Sequence, residues 1–269
     1  MKPDTLSMLC DPITRDPLEI IPVTRKDRTE KAMINTRTRK IYPIREDIPV
    51  FIEAGEVTGL DRKFQKYYDF FAPFYDATLK LFSALKKVEK FDKVRKDYLK
   101  NLEAKDGDKV LEVSIGTGSN IRYMPPTCRF YGLDISWGML MKCRSNMRKW
   151  NIGAELFLGN AERLPFRDES FDVVFHVGGI NFFNDRAVAI NEMIRVAKPG
   201  TKILIADETQ KAVEGVYESP LWGWYFKDME DMKSRAVPPV DLVPDSMQDM
   251  KVEYMMDDLM YCLYFRKPV

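Results

Sequence analysis

The chain is short of the side chains that most catalytic and metal centres need. Its 269 residues include one histidine, His176, and four scattered cysteines, Cys10, Cys128, Cys143 and Cys262, with no CxxC pair among them. That spacing excludes a thiolate zinc set and a disulfide framework, and the thiols read as reduced and buried. No cysteine–histidine pair, serine triad or metal-ligand set competes for a catalytic role. Charge of one sign is also lacking: 42 Lys and Arg stand against 41 Asp and Glu, a net charge of +1, so composition implies no extended nucleic-acid surface. No uncharged apolar run approaches membrane-spanning length, and residues 1–10 lack the basic start and apolar run of a secretory signal, so a cytoplasmic location is expected. What is present is an ordinary soluble composition, 45% apolar, long enough for one large core and a small appendage and silent on oligomeric state.

The most informative stretch is Val110-Leu111-Glu112-Val113-Ser114-Ile115-Gly116-Thr117-Gly118-Ser119-Asn120. Val110, Leu111 and Val113 read as a buried strand, Gly116 and Gly118 let the backbone turn and approach a ligand, and Ser119 or Asn120 is placed to cap a following helix. Glu112 inside the strand, and the absence of a lysine after Gly118, argue against a phosphate cradle. From Lys109 to Glu208 the pattern repeats, with strands over 109–113, 129–133, 155–158, 171–177 and 201–207 and helices after the first, second and fourth. Such alternation predicts an α/β fold, a parallel sheet covered on both faces, with ligands at the carboxyl ends of its strands. Glu112, Asp134 and Asn160 fall at three of those ends.

Taken in order, the glycine loop, Asp134, Asn160-Ala161-Glu162 with Leu164-Pro165-Phe166, Phe171-Asp172-Val173-Val174, and Glu192-Met193 through Arg195-Val196 to Lys198-Pro199-Gly200 resemble the motifs of class I S-adenosylmethionine-dependent methyltransferases. The branch it resembles includes ubiquinone/menaquinone C-methyltransferases and phospholipid N-methyltransferases. The resemblance spans about Tyr68 to Asp207. It implies a Rossmann-like, seven-stranded, mostly parallel sheet with an antiparallel final strand, S-adenosyl-L-methionine as cofactor, and methyl transfer as activity. On the matched positions it implies that Gly116, Thr117 and Gly118 approach the methionine part of the cofactor with Glu112 beneath them. Asp134, followed by Ile135, would accept the ribose hydroxyls. Met139 would pack on the adenine with Trp137 shielding it, and Asn160 and Ala161 would meet the adenine edge, Asn160 standing where many relatives carry aspartate. His176 and Val177 would face the transferred methyl group. For His176, the roles of general base and substrate ligand stand beside a purely structural one. Residues 178–183 run from small to aromatic and suit the floor of an apolar acceptor site.

Outside that span the sequence changes character. Residues 1–55 alternate short apolar strands, over 18–23, 40–42 and 49–52, with charged turns. This β-rich segment resembles the zinc-ribbon leader ahead of some bacterial methyltransferases, in which two CxxC knuckles are followed by a Tyr-Pro-Ile run, here Tyr42-Pro43-Ile44. The cysteine places hold Asp11, Thr14, Asn35 and Thr38, a poor set for zinc, so a metal-free segment held by a small core of its own is expected. Residues 56–269 then form the methyltransferase domain, with N-terminal helices over 60–102, a cofactor-binding core over 109–208, a lid or cap over 209–250 and a hairpin over 251–269. Tyr67, Tyr68, Phe70, Phe71, Phe74 and Tyr75 are interrupted by Pro73, which predicts a helix end there; they read as packing, with one ring, Tyr75, reaching the site. The helix predicted over 79–102 carries eight Lys or Arg between Lys80 and Lys100 against three acidic residues, either a solvated face or a contact with an anionic substrate or membrane surface. Leu221, Trp222, Trp224, Tyr225 and Phe226 read as an amphipathic helix or lid that covers an apolar substrate or packs on the sheet. Strands over 251–256 and 259–265 join at Asp257-Asp258.

These readings lead to a methyltransferase for a small apolar or amphipathic acceptor, such as a quinone, lipid or other metabolite, with peripheral membrane contact. The alternative is an RNA base methyltransferase, since ribbon-bearing relatives include enzymes acting on ribosomal RNA. Against it stand the missing zinc ligands, the balanced charge, and 13 acidic against 7 basic residues from Asp207 onward. A cofactor-binding protein without transfer activity is the third reading. An activated methyl donor asks the protein mainly for alignment and exclusion of water, which is why motifs for the cofactor are clear and motifs for the acceptor are not.

Overall fold

The computed structural model describes residues 2–25, 28–52, 55–78, 91–217 and 230–269. The chain opens with α1 (Pro3–Met8) and a four-stranded antiparallel sheet of β1 (Leu18–Arg25), β2 (Arg28–Asn35), β3 (Ile41–Arg45) and β4 (Ile48–Pro49). Strand β2 is absent from the sequence expectation because its first half, Arg28-Thr29-Glu30-Lys31, is wholly polar; pairing with β1 along its length makes it a strand, and only residues 32–35 are buried. The four positions that would carry cysteines do converge. Asp11 Oδ1 accepts the N–H groups of Ile13 and Thr14 at 2.8 and 3.0 Å, and Asn35 Oδ1 accepts those of Arg37 and Thr38 at 2.8 and 2.9 Å. Each turn is thus closed on a side-chain oxygen. Asn35 Nδ2 then donates to Asp11 Oδ2 at 2.7 Å and to Thr14 Oγ1 at 2.9 Å, and the Tyr42 hydroxyl donates to Asp11 Oδ2 at 2.9 Å. Burial raises the pKa of Asp11, but the donations from Asn35, Thr14, Ile13 and Tyr42 outweigh it and hold the carboxyl below its ordinary range.

This leader does not close on a small core of its own, which corrects the sequence expectation. Met8, Leu9, Leu18, Met33, Tyr42 and Phe51 belong to one apolar cluster with Leu111, Val113 and Val174 of the main sheet and Phe166 of the loop between β7 and β8. A sheet this small has an apolar face and nothing of its own to cover it. Backbone bonds stitch it down at both ends: Cys10 N–H to Pro165 O at 3.0 Å, and Phe51 N–H to Leu158 O at 2.7 Å. Between them the Arg15 guanidinium reaches Glu192 Oε1 at 2.7 Å and Leu164 O at 2.8 Å.

Beyond the leader come α2 (Gly59–Phe71), α3 (Phe91–Lys100), β5 (Lys109–Val113), β6 (Arg129–Asp134), α4 (Trp137–Trp150), β7 (Ala154–Leu158), β8 (Val173–Val177), α5 (Arg186–Val196), β9 (Lys202–Glu208), α6 (Gln210–Tyr217), α7 (Glu230–Arg235), β10 (Gln248–Met255) and β11 (Met260–Arg266). Helix α2 ends just before Pro73, as the sequence predicts. Of the helix expected over 79–102 only α3 is described; residues 79–90, and Leu221, Trp222, Trp224, Tyr225 and Phe226 of the expected lid, lie outside the described residues. The main sheet has seven strands in the order β10-β11-β9-β8-β5-β6-β7. Neighbours from β9 to β7 run parallel, and β11 is antiparallel to both β9 and β10. Apolar layers cover both faces, one shared by the leader and α5, the other by Tyr98 and Leu99 of α3 with Leu140, Cys143 and Met147 of α4. This is the expected Rossmann-like α/β architecture.

The helix expected after β5 is not formed. Only a single 3₁₀ turn, Ile121–Tyr123, separates the glycine loop from β6. Pro125 and Pro126 stop the chain from continuing helically, and the Asn120 side chain turns inward to donate to Glu112 Oε1 at 2.6 Å instead of capping.

The leader's amide–carboxylate bridge gives a stability test. Asn35→Ala removes the donor to Asp11 and the acceptor of two backbone N–H groups, and is expected to lower the unfolding free energy by about 2–3 kcal/mol, measured by urea denaturation; a loss within error would show that the bridge is dispensable.

Candidate functional site

The carboxyl ends of β5, β6, β7, β8 and β9 lie side by side, and most of the site residues expected from sequence gather there. Strand β5 runs into the loop 114–120, where Gly116 has φ +55° and Gly118 φ +75°. A Cβ on Gly118 would sit 2.3 Å from Met147 Cε and 2.7 Å from Cys143 Sγ, so packing on α4 forbids one; a Cβ on Gly116 would meet nothing within 4 Å, so this backbone borders open space. Asp134, at the end of β6, fixes the loop from the side. Its Oδ2 accepts Gly116 N–H at 2.8 Å and its Oδ1 accepts Ser136 N–H at 2.9 Å. Burial pushes the Asp134 carboxyl up to about 6. Ser136 caps α4 by accepting Met139 N–H at 3.1 Å, and Met139 is buried just inside.

Beneath the loop, Glu112 is buried in the sheet. One of its oxygens is held by Asn120, whose own Oδ1 accepts from the Tyr98 hydroxyl at 2.5 Å and from Arg95 Nε at 3.1 Å; the other, Oε2, has no hydrogen-bond partner. Burial pushes the carboxyl up to about 8. A buried orphan acceptor under an open glycine loop is the environment a cationic ligand group satisfies.

The segment around α2, expected to pack with the Tyr75 ring alone reaching the site, closes over this edge. Asp61, Asp69 and Asp76 each tie it to a different loop. Asp61 accepts Asn160 Nδ2 at 3.2 Å and Asn184 Nδ2 at 3.0 Å. Asp69 accepts the Ser136 hydroxyl at 2.6 Å and Gly138 N–H at 2.8 Å. Asp76 accepts the Thr117 hydroxyl at 2.7 Å and Asn146 Nδ2 at 2.9 Å. Gln65 adds a bond from Nε2 to Ile135 O at 2.7 Å. Burial, then the charge of Glu162, pushes the Asp61 carboxyl up to about 6. The spacing of these aspartates, roughly two helical turns apart, is the one signal that would have found them. On the same helix Phe64 stacks on Phe182 with centroids 3.7 Å apart, and Tyr67 lies 4.5 Å from Phe71. Tyr68 and Tyr75, half-buried, are 6.2 Å apart edge to face.

The remaining expected residues divide. Asn160 is engaged by Asp61 through its amide, and its Oδ1 accepts Glu162 N–H at 2.8 Å; Ala161 beside it is buried. His176 is fully enclosed. Its Nδ1 lies 3.0 Å from Val113 O, which can only accept, so Nδ1 carries the proton and Nε2 is a lone-pair acceptor with no partner. Burial lowers its pKa to about 4, and its ring meets Phe183 edge to face at 5.2 Å. Val177 follows at the end of β8, half-buried. Two acidic residues absent from the sequence list, Asp207 and Glu208, end β9 beside it. The surface depression lined by Ile48, Arg144 and Phe157 includes none of these groups.

A parallel sheet with a glycine loop after its first strand and a carboxylate ending its second defines a Rossmann-like protein that binds a nucleoside-bearing cofactor. A family model described as a methyltransferase domain matches residues 111–205. The demethylmenaquinone methyltransferase of Listeria monocytogenes is 31% identical over 180 residues, 62% of this chain and 74% of that protein. Those of Streptomyces avermitilis and a Geobacillus species are 29% and 31% identical, over 59% and 50% of this chain; the chain spans 63% and 59% of their lengths. In structure it resembles a putative S-adenosyl-L-methionine-dependent methyltransferase of Methanococcus maripaludis, with a TM-score of 0.53, 15% identity, and coverage of 81% of this chain and 98% of that one. It also resembles a chain from the complex between the Haloferax volcanii Trm112 methyltransferase activator and a putative methyltransferase, with a TM-score of 0.53, 18% identity, and coverage of 75% and 98%. The chain belongs to the class I S-adenosylmethionine-dependent methyltransferases, and S-adenosylmethionine is its cofactor.

The orphan Glu112 oxygen, the open side of Gly116 and the Asp134 carboxylate fit that cofactor's cationic and hydroxyl-rich groups. A stability test follows from Glu112. Its folded pKa of about 8 lies above the ordinary carboxyl value, so the folded chain keeps a proton that the unfolded chain releases, and this group's contribution to stability falls as pH rises through that window. Urea midpoints are expected to drop as pH rises from about 5 to about 8 and to level off above that, and Glu112→Gln to shrink the drop; an undiminished drop in the variant would contradict the assignment.

Proposed function

We propose that the chain methylates a small apolar ring acceptor of the quinol class. The observation that carries this reading is the aromatic wall beside the cofactor loops, where the Phe64–Phe182 stack, Tyr67, Tyr68 and Phe71 stand between α2 and residues 180–183. Flat apolar rings are matched by such a surface. The relatives' name, demethylmenaquinone methyltransferase, supports the same acceptor class.

When bound, S-adenosylmethionine supplies an electrophilic methyl group on a sulfonium. In this reading Asp134 accepts the ribose hydroxyls with the lone pairs that Gly116 and Ser136 leave free, and Glu112 Oε2 meets the ammonium group. Gly116, Thr117 and Gly118 lie against the methionine part. Met139 and Ile135 border the adenine with Asn160 and Ala161, while Tyr75 and Val177 close the methyl end. His176, neutral, orients a polar group through Nε2. The aspartates of α2 and of the helical residues 75–78 after it hold the cap down, so the cap keeps water from the transferring methyl and fixes the ring against its wall. On the outer side of the cap Phe70 and Phe74 are 73% and 61% exposed with Lys66 exposed beside them, a surface suited to peripheral contact with the lipid that carries such an acceptor. Among the described residues no helix is long and apolar enough to cross a membrane.

The test is to incubate the purified chain with methyl-labelled cofactor and separate quinol, lipid, polar-metabolite and RNA fractions. Label is expected in the quinol; label in RNA, with steep salt dependence of binding, would replace this reading with an RNA base methyltransferase. Two substitutions should separate the halves of the site. Asp134→Ala is expected to weaken cofactor binding roughly 10- to 100-fold in calorimetry, whereas Phe64→Ala is expected to raise KM for the quinol about tenfold and leave cofactor affinity unchanged. Equal effects of both variants on both ligands would overturn the division.

A further inference from the structure

The end of β9 carries a pair of carboxylates, Asp207 and Glu208, that the reading above leaves without a role. Asp207 is buried and fully engaged, since its Oδ2 accepts the N–H groups of Gly179 and Asn181 at 3.1 and 3.0 Å and its Oδ1 accepts Glu208 N–H at 2.8 Å. Glu208 is different. Its carbonyl accepts Asn181 Nδ2 at 3.1 Å, which fixes the backbone, but its carboxylate has no hydrogen-bond or ion-pair partner among the described residues and is open to solvent. A carboxylate held in place by its backbone, unpaired, at the carboxyl edge of the sheet is free to meet a substrate.

Register decides which way it faces. Glu112 pairs with Phe175, and Phe175 with Leu204; Ala206 and Glu208 follow at two-residue steps, so Glu208 and Glu112 share one face of the sheet. That is the face under the glycine loop. The groups near enough to feel the Glu208 charge are Asp207 on its own strand, which points to the opposite face, Tyr68 from α2, and Tyr75 from the helical residues 75–78 that follow. Burial holds both tyrosine hydroxyls above their ordinary range, helped at Tyr68 by Tyr75 and then by Glu208 and Asp207, and at Tyr75 by Glu208 and then Asp207, so they remain neutral. Arg95 of α3 opposes these charges at Tyr75. Although solvent reaches it, Glu208 is recessed among protein atoms, and that crowding with the Asp207 charge pushes its carboxyl up to about 7. His176, enclosed at the end of β8, stays neutral near pH 7 with its one ring proton on Nδ1, so it carries no charge toward Glu208.

We propose that Glu208 is the catalytic residue that takes the proton from the methyl acceptor, with Tyr68 and Tyr75 as neutral hydroxyls that position the acceptor's oxygen beside it. This rests on the methyltransferase reading with a hydroxyl-bearing acceptor. In the step, the acceptor hydroxyl proton passes to a Glu208 oxygen, the ring carbon's electron pair forms the bond to the methyl carbon, and the carbon–sulfur bond breaks with its pair left on sulfur. The hydrogen at the methylated carbon then moves to the acceptor oxygen, restoring the aromatic ring. A carboxyl poised near neutrality accepts the proton and returns it to solvent through its open side.

The test uses the full chain, methyl-labelled cofactor and a short-chain soluble quinol. The wild type is expected to show kcat/KM rising on an acidic limb centred near 7. Glu208→Gln is expected to lower kcat about 100-fold or more and to flatten that limb, with cofactor affinity in calorimetry within about twofold, while Glu208→Asp keeps a limb and part of the rate. Unchanged kcat with the limb intact in Glu208→Gln would overturn the proposal. If label goes to another fraction in place of quinol, the same comparison is made with that acceptor. The quinol reading then fails on the identity of the fraction, whereas the assignment to Glu208 fails only on an intact limb.

Discussion

The carboxylate of Asp134 accepts Gly116 N–H with one oxygen and Ser136 N–H with the other, and so fixes in one place the loop that leaves β5 and the start of α4. Everything at the carboxyl edge is built around that junction. The glycine loop can approach a ligand because Asp134 holds it open on one side while Gly118 packs without a side chain on Cys143 and Met147. Ser136, positioned by the same carboxylate, both caps α4 and donates its hydroxyl to Asp69, so the cap over the site is registered to the loop beneath it. An acidic residue at the end of the second strand therefore has a structural duty in the free chain and keeps lone pairs for a ligand.

Much of this architecture was legible because it follows from local periodicity. Five strands of the main sheet and the hairpin at its end are apolar runs bounded by turn residues, and the observed β5 to β9 fall within two residues of the expected boundaries, β5 matching throughout. Where local pattern and tertiary context disagree, the sequence misleads. Ser119 and Asn120 have the chemistry of helix caps, yet the buried Glu112 carboxylate draws the Asn120 amide inward, and two prolines end the turn. Strand β2 is polar through its first half and exists by virtue of its partner, which no pattern within it records.

The candidate site divides in the same way. Gly116, Gly118, Glu112 and Asp134 could be picked out because each sits at a strand end with a chemical peculiarity. Asp61, Asp69 and Asp76 could not, since an aspartate on a charged helix is ordinary until its donors are known, and those donors are about 40 to 120 residues away in sequence. The Tyr67 to Tyr75 region also carries two roles at once. Its inner rings line the wall, while Phe70 and Phe74 face outward, a division that composition alone does not reveal.

In the leader, an amide–carboxylate bond joins the two turns at the place where a ribbon of this shape would hold a metal. Its folding is consequently uncoupled from metal supply and from the redox state of thiols. A chelator or oxidant that dismantles a cysteine ribbon has no purchase on Asp11 and Asn35. Because Leu9, Met33 and Tyr42 of the leader share an apolar layer with the main sheet, that indifference passes to the cofactor-binding half of the molecule as well.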